Sequence, residues 1–380
     1  MTAGALTDLL RQGGIWTTAY VDGTGALPQV EEEARRRAVR DRLVDEGAPG
    51  EDAEAVEAAL TANNGLPSPP SRVVMVTGGE VVLDESFIGP RLGPERFSHG
   101  TLPAVLPLLR HRSAATRYLV VETGRDGAEI RLETVGRGAD TEIEIEGSTQ
   151  DITKVQAGGG QQSAFHRYAE STWERNQADV ADAVREIVGE EHPAFVIVSG
   201  DVRAAQLLRD ALTDTERDLL TVVDANTRAD GADSTELDAA ISEALDAHTR
   251  TAIDEVRERA ANDSGRSGAE GTSEVVAALQ QARVDTLLLD NRMLDDDGTL
   301  YALDAEPWVA VDESESLSAG IIGRISAAEA LARAALLTDA RVLIEEDAYL
   351  ADDEPRETRA TRDPLAVLRW AEQDGEADGD

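Results

Sequence analysis

Three consecutive glycines, Gly158, Gly159 and Gly160, followed at once by a long apolar stripe, constrain this chain more than any other stretch. Glycine opens backbone angles closed to other residues and leaves room for the close approach of another molecule. Beyond them Phe165, Ala169, Trp173, Val180, Val184 and Ile187 recur at helical spacing, with one polar gap at Asn176 and Gln177. That period is the signature of an amphipathic helix. The expectation is a flexible tip over residues 157–164, mounted on a rigid rod and presenting backbone and amide groups to a partner.

Sequence on either side of the rod reads as a mixed sheet. Runs at 118–122, 128–133 and 141–145 are strand-like, and Glu129-Ile130-Arg131-Leu132 and Glu142-Ile143-Glu144-Ile145 alternate polar with apolar. Alternation of period two marks half-exposed antiparallel strands. After the helix, Phe195-Val196-Ile197-Val198 is an unbroken apolar run suited to a sheet centre. Ser199-Gly200-Asp201 then leads into a helix over 202–212, with Asp201 as its N-cap. A strand over 219–223 and a long acidic helix over 234–259 complete the block. Strands followed by β-α-β-α predict helices packed on a mixed sheet, an α/β (α+β) fold.

Two further blocks flank this one. Residues 1–21 read as a helix running into a strand, residues 29–46 and 53–60 as helices, and Gly78-Gly79 as the turn of a β-hairpin. The stretch 102–109, interrupted by Pro103 and Pro107, is expected to be extended or a short broken helix. Residues 262–271 are polar and rich in Gly and Ser, the composition of a linker or exposed loop. Beyond them, helices at 273–281 and 327–337 alternate with strands at 284–289, 308–311 and 340–344, before a final apolar segment at 364–370. The expected organisation is three α/β domains, at 1–115, 116–262 and 270–370, with an acidic tail at 371–380.

The formal net charge is −39, from 75 acidic against 36 basic residues, and Lys154 is the only lysine. Such a balance repels phosphate at long range and argues against DNA binding; contact with RNA needs locally basic faces. The arginines of the helix at 29–46 are read as a solvated face pairing with Glu31, Glu32 and Glu33. There is no cysteine, which excludes disulfides, thiolate metal sites and a Cys nucleophile. No apolar run approaches the roughly 20 residues of a membrane span, and no secretory signal is visible. The expectation is a cytoplasmic protein with no membrane partner.

His99, His111, His166, His192 and His248 are scattered without ligand spacing, so no metal is expected. The Gly-x-Ser-x-Gly elbow and the Gly-x-x-x-x-Gly-Lys-Ser phosphate loop are absent, and contiguous glycines behind a poor strand argue against a dinucleotide site. No cofactor is expected. What remains is Gly159-Gly160-Gln161. Two glycines before a glutamine let its backbone amide enter a crowded site, donate to an oxyanion and help position a water for attack on an ester.

In this context the segment resembles the middle domain of the archaeal and eukaryotic class-1 peptide-chain release factors. The hairpin at 118–133, the basic Lys154 before the triplet, and Gln162-Ser163-Ala164-Phe165-His166-Arg167-Tyr168-Ala169-Glu170 after it carry the likeness, and residues 195–201 resemble that domain's β-α continuation. It is clear over 115–250, moderate over 270–370, which resembles the L7Ae-like third domain, and faint over 1–115. Within the release-factor and Pelota superfamily the sequence is most similar to the bacterial branch that includes the ribosome hibernation factor Balon. The resemblance implies occupation of the ribosomal A site, with ribosomal RNA as partner and the peptidyl transferase centre facing Gly159, Gly160 and Gln161, or Gln162 as the alternative tip glutamine. It makes Lys154, His166, Arg167 and Arg175 candidates for RNA contact, and a translational GTPase a further candidate partner.

Two features depart from the family pattern. The stop-codon-reading Asn-Ile-Lys-Ser is absent, the one lysine lying at 154, so ordinary stop-codon termination is not expected. Gly158 and Gln162 also extend the triplet on both sides. The leading expectation is therefore an A-site factor of hibernation or stress that reads no codon. The second is codon-independent peptidyl-tRNA hydrolysis in ribosome rescue, which leaves enzymatic activity open. The third is an interaction protein with no ribosomal role.

Overall fold

The structure, a computed structural model, describes residues 3–25, 27–62, 70–113, 116–124, 127–135, 138–146, 159–223, 235–261, 267–346 and 363–370. The chain forms two compact units, one made of Met1–Ala114 with Thr249–Asp380 and the other of Ala115–His248.

The first unit begins with α1 (Ala3–Arg11) and β1 (Trp16–Asp22). β2 (Pro70–Thr77) and β3 (Glu80–Ile88) form the expected hairpin, turned by Gly78 and Gly79 at φ 56° and 75°. Two positive φ angles in succession belong to a type I′ turn, whose twist matches that of the strands. With β4 (Arg96–Gly100) these strands make an antiparallel sheet in the order β3-β2-β1-β4. Helices α2 (Gln29–Asp45) and α3 (Gly50–Ala59) bury Val39, Leu43, Ala53 and Val56 against Ala19, Val21, Val74 and Val76 on one face. Trp16, Tyr20, Val73 and Met75 are buried on the other. Cover on both faces explains why β2 reads as a continuous apolar run rather than an alternating one. On α2, Arg37 pairs with Glu33 on the solvated face expected there, whereas Glu32, which pairs with Arg35, is buried and accepts from the Gly25 and Leu27 N–H groups. The stretch 102–109 turns out differently from the extended reading: α4 (Leu106–Ser113) is a regular helix. Pro107 sits in its first turn, where a missing N–H forfeits no intrahelical bond.

The second unit opens with β5 (Arg117–Gly124), β6 (Gly127–Thr134) and β7 (Gly138–Glu146). The helix α5 (Gly159–Glu191), then β8 (Val196–Gly200), α6 (Val202–Ala211), the short α7 (Asp214–Asp218), β9 (Leu220–Val222) and α8 (Thr235–Ala261) follow. The sheet order is β7-β6-β5-β8-β9, with β5, β6 and β7 antiparallel and β5, β8 and β9 parallel. α5 and α6 cover one face, placing Val180, Val184, Ala205 and Leu208 against Leu119, Val121, Ile130 and Val198. On the other face, Leu237 of α8 joins Tyr118, Val120, Phe195 and Ile197. Asp201 is the N-cap of α6, accepting from the N–H groups of Arg203 and Ala204.

The rest of the chain returns to the first unit. β10 (Gly268–Glu270), α9 (Thr272–Gln280), β11 (Val284–Asp290), β12 (Thr299–Leu303), β13 (Val309–Ala310), β14 (Ile321–Ser326), α10 (Ala327–Leu337), β15 (Arg341–Glu345) and β16 (Leu365–Leu368) form two sheets, ordered β10-β16-β11-β15 and β13-β12-β14. Part of the stretch read as a linker is therefore a strand, since β10 pairs with β16; its Gly and Ser content masked a ladder made by backbone atoms alone. The end of α8 packs Ile253 and Val256 on Leu288, Leu343 and Val367. On the opposite side, Val276, Leu279, Leu331 and Ala335 share one core with Leu6, Leu10, Val105 and Leu109. The segments 1–114 and 249–380 thus keep separate sheets but a common interior. Arg110 Nε donates to Glu346 Oε1 at 2.7 Å within this unit, and the Val105 N–H donates to the Glu329 carboxylate. The acidic tail at 371–380 lies outside the described residues.

Candidate functional site

At about 1.5 Å per residue, the 33 residues of α5 extend about 50 Å. The structure begins this helix at Gly159, so Gly159, Gly160, Gln161 and Gln162 form its first turn rather than a loop ahead of it. Lys154, Ala157 and Gly158 lie outside the described residues. The first four N–H groups of an α-helix have no intrahelical acceptor and stand at the positive end of the helix dipole. In helical geometry these backbone donors share one direction, along the helix axis.

The first turn of α5 carries no acidic residue, whereas α2, α3 and α8 each begin with two. Residues 152–169 contain Lys154, His166 and Arg167 and no Asp or Glu, in a chain with 75 acidic residues among 380. This local reversal of charge is a signal the motif-by-motif reading passed over. His166 and Arg167 are placed on α5 by their backbone, their side chains lying outside the described residues. Arg175 is exposed on the same helix, about 21 Å along the axis from Gln161. It is therefore not gathered with the triplet, and any contact it makes is to a separate part of a partner.

α5 is fixed to the sheet by two different kinds of contact. Its apolar anchor is Val180, Ala181, Val184 and Ile187. Ahead of these, the buried positions are polar: Thr172, Asn176 and Gln177. The Gln177 side chain is wholly buried; its Nε2 donates to the Gly124 carbonyl at 2.8 Å and its Oε1 accepts from Thr123 Oγ1 at 2.9 Å. Both ends of the amide are engaged at the carboxyl end of β5. The polar gap in the apolar stripe is thus the place where the helix crosses from sheet surface to sheet end. Sequence reasoning registered the gap but not its partner.

The same strand end positions α6. Asp201 N donates to the Thr123 carbonyl at 3.0 Å, and Gly200 lies so close that a Cβ there would stand 1.9 Å from that oxygen. On the face of the sheet that α8 shares, Arg131 binds Glu122 and Glu129 at 2.6 Å and Glu133 at 3.1 Å. Burial alone would lower the Arg131 pKa, but its three carboxylate partners outweigh that and raise it, so the guanidinium stays charged. Burial and then the hydrogen bond to Glu133 push the Tyr118 hydroxyl upward. These groups brace the sheet and offer no poised acid or base. Among the described residues no group of three or more His, Asp or Glu is arranged to hold a metal ion, and no helix is long and apolar enough to cross a membrane.

Residues 117–266 match the family model described as bacterial archaeo-eukaryotic release factor family 2. Two Mycobacterium tuberculosis proteins, uncharacterized protein Rv2629 of strain ATCC 25618 / H37Rv and uncharacterized protein MT2704 of strain CDC 1551 / Oshkosh, are each 27% identical over 296 residues, covering 76% of this chain and 78% of theirs. Among solved structures, S. cerevisiae Dom34, a translation termination-like factor involved in RNA quality control pathways and interacting with Hbs1, is 13% identical with a TM-score of 0.41, over 80% of this chain and 81% of that one. Archaeoglobus fulgidus Pelota is 15% identical with a TM-score of 0.33, over 97% and 91%.

Proposed function

We propose that this chain, a bacterial homologue of the archaeo-eukaryotic release factors over its residues 117–266, is a ribosome-associated translation factor. In this reading it occupies the A site without reading a codon, in ribosome hibernation or the stress response. The observation that carries the proposal is the Gly159-Gly160-Gln161 turn at the acid-free start of a helix about 50 Å long, in a chain without Asn-Ile-Lys-Ser. The part of α5 ahead of its buried Thr172, 13 residues or about 20 Å of helix, is the length offered to an RNA-lined cavity, and its donor-rich end is compatible with phosphate where the remaining acidic charge repels it. Lys154 and Arg167, close to the triplet in sequence, are the cationic candidates for phosphate, with His166 as a further candidate contact. Arg175 serves a contact further back. A translational GTPase is the further partner in this reading, and the cytoplasm its compartment.

Sedimentation with purified ribosomes through a sucrose gradient at physiological salt tests it. Co-migration with 70S particles is expected, and a protein that stays at the top of the gradient refutes the reading.

Retention of the triplet favours a second reading, hydrolysis of peptidyl-tRNA in ribosome rescue. Gln161 orients a water while the ribosome supplies most of the surrounding groups. Peptide release from a stalled complex, compared between wild type and Gln161→Ala, decides it. Equal rates remove the enzymatic role and leave occupancy alone.

A further inference from the structure

The sheet β13-β12-β14 carries a feature that serves neither the core nor α5. The N–H of Ala319 donates to the Ser316 carbonyl at 3.0 Å, closing a β-turn whose second residue, Leu317, has φ 54° and ψ −112°. Those angles belong to the first central position of a type II′ turn, where glycine is the usual occupant because a Cβ is strained there. Leu317 is nevertheless 81% exposed, so no burial among the described residues offsets the strain.

The surrounding loop is firmly held. Glu315 Oε2 accepts from the Val311 N–H at 3.0 Å and from Gln280 Nε2 at 3.4 Å. The Gly320 N–H donates to Asp304 Oδ1 at 2.7 Å, and the Asp304 N–H donates to the Gly320 carbonyl at 3.0 Å. Two more exposed apolar residues bracket the turn, Val311 at 41% and Ile321 at 43%. Asp304, Glu306, Asp312, Glu313 and Glu315 are all exposed, and residues 304–320 contain no basic residue. A strained bulky residue kept in the open on a braced turn has the properties of an interface anchor.

We propose that the turn 316–319 is a docking knob, with Leu317 filling an apolar notch in a basic protein surface. The acidic rim decides the class of partner: it repels RNA phosphate and a second copy of a chain of net charge −39, and it attracts a basic protein. Resting on the ribosomal reading, the occupant is a ribosomal protein.

Leu317→Gly separates docking from folding. It removes the side chain and relieves the strain, so thermal stability stays level or rises, while affinity for purified 70S ribosomes falls about tenfold or more. A photo-crosslinking amino acid at position 317 of the full chain is expected to capture a ribosomal protein. A Leu317→Gly variant that binds ribosomes like wild type, or one of lower stability, overturns the proposal, as do crosslinks only to ribosomal RNA or to another copy of this chain. Wild-type protein that fails to sediment with ribosomes removes the ribosomal reading and this occupant together. Sedimentation undisturbed by the variant removes the knob alone.

Discussion

Gln177, in the middle of α5, donates through Nε2 to the carbonyl of Gly124, the last residue of β5, at 2.8 Å. With its Oε1 bound to Thr123 Oγ1, the side chain sets both the rotation and the axial register of the helix against the sheet. Gln177→Leu keeps the volume similar but leaves the buried Thr123 hydroxyl and the half-buried Gly124 carbonyl without this partner. The expected cost is about 1–3 kcal/mol, with faster amide hydrogen exchange over 172–180 than over 184–191, where the apolar anchor is intact. Denaturation and exchange mass spectrometry of the full chain measure both. Unchanged exchange at 172–180 would mean that the apolar residues alone hold α5.

Gly200 and Gly189 form a matched pair for a second test. At Gly200, φ is 120° and a Cβ would stand 1.9 Å from the carbonyl oxygen and 2.9 Å from the carbonyl carbon of Thr123. The obstacle is backbone, which cannot step aside, so Gly200→Ala is expected to cost more than about 3 kcal/mol or to prevent folding of the unit. Gly189 lies within α5 and has nothing within 4 Å of the same atom. Gly189→Ala is expected to stabilise by up to about 1 kcal/mol. Similar melting temperatures for the two variants would contradict this account of β8.

What the sequence made legible follows from how local each signal is. The alternation at Glu129-Ile130-Arg131-Leu132 and the stripe from Val180 to Ile187 are complete within one element, and β6 and α5 appear where those patterns put them. Asp201 needed only the next three residues to act as a cap, its partners being Arg203 and Ala204. The common core of Leu6, Leu109, Leu331 and Ala335 could not be read in this way, because an apolar face shows that it is buried but not which distant segment covers it. β12 and β14 escaped notice because short strands with half-exposed residues such as Tyr301 and Ile325 have little periodicity. At the candidate site the triplet was visible and its role as the first helical turn was not, since glycine favours a loop until a helix of sufficient length claims it. Gln177 read as a flaw in the stripe because its partner is 53 residues away.

The charge of −39 gives a third prediction. Many of the arginines are already committed: Arg72 binds both oxygens of Asp84 at 2.6 Å, and Arg110 binds Glu346. With 75 acidic residues against 36 basic ones, self-repulsion destabilises the compact state. Screening shortens from about 10 Å at 0.1 M salt to about 3 Å at 1 M, so the melting temperature is expected to rise with KCl over that range. A flat or falling curve would show that the ion pairs balance the charge locally.

Two buried groups in the first unit give opposing pH dependences that single substitutions separate. Burial raises the Glu329 carboxyl to about 7, against hydrogen bonds from the Val105 and Leu106 N–H groups and the charge of Arg96, all of which pull it down. Burial, and then the charge of Arg110, lowers His111 to about 4, against the opposite pull of Glu85; its Nε2 lies 2.8 Å from the Tyr20 hydroxyl and its ring stacks on Phe87. For Glu329 the folded state holds its proton more tightly than the unfolded chain, so this stability is fully present below the ordinary 4.5 and is lost as pH rises through about 7. For His111 the folded state resists protonation, so its contribution is present above the ordinary 6.5 and is lost as pH falls through about 4. Above pH 6.5 the histidine no longer contributes a slope, and stability is expected to decline with rising pH through Glu329. Glu329→Gln, which keeps an acceptor for the α4 amides, should flatten that decline and leave the acid-side loss in place. Denaturant midpoints of the full chain from about pH 4 to pH 8 supply the measurement. If Glu329→Gln leaves the slope above pH 6.5 unchanged, the carboxylate at the start of α4 is not the group that titrates there.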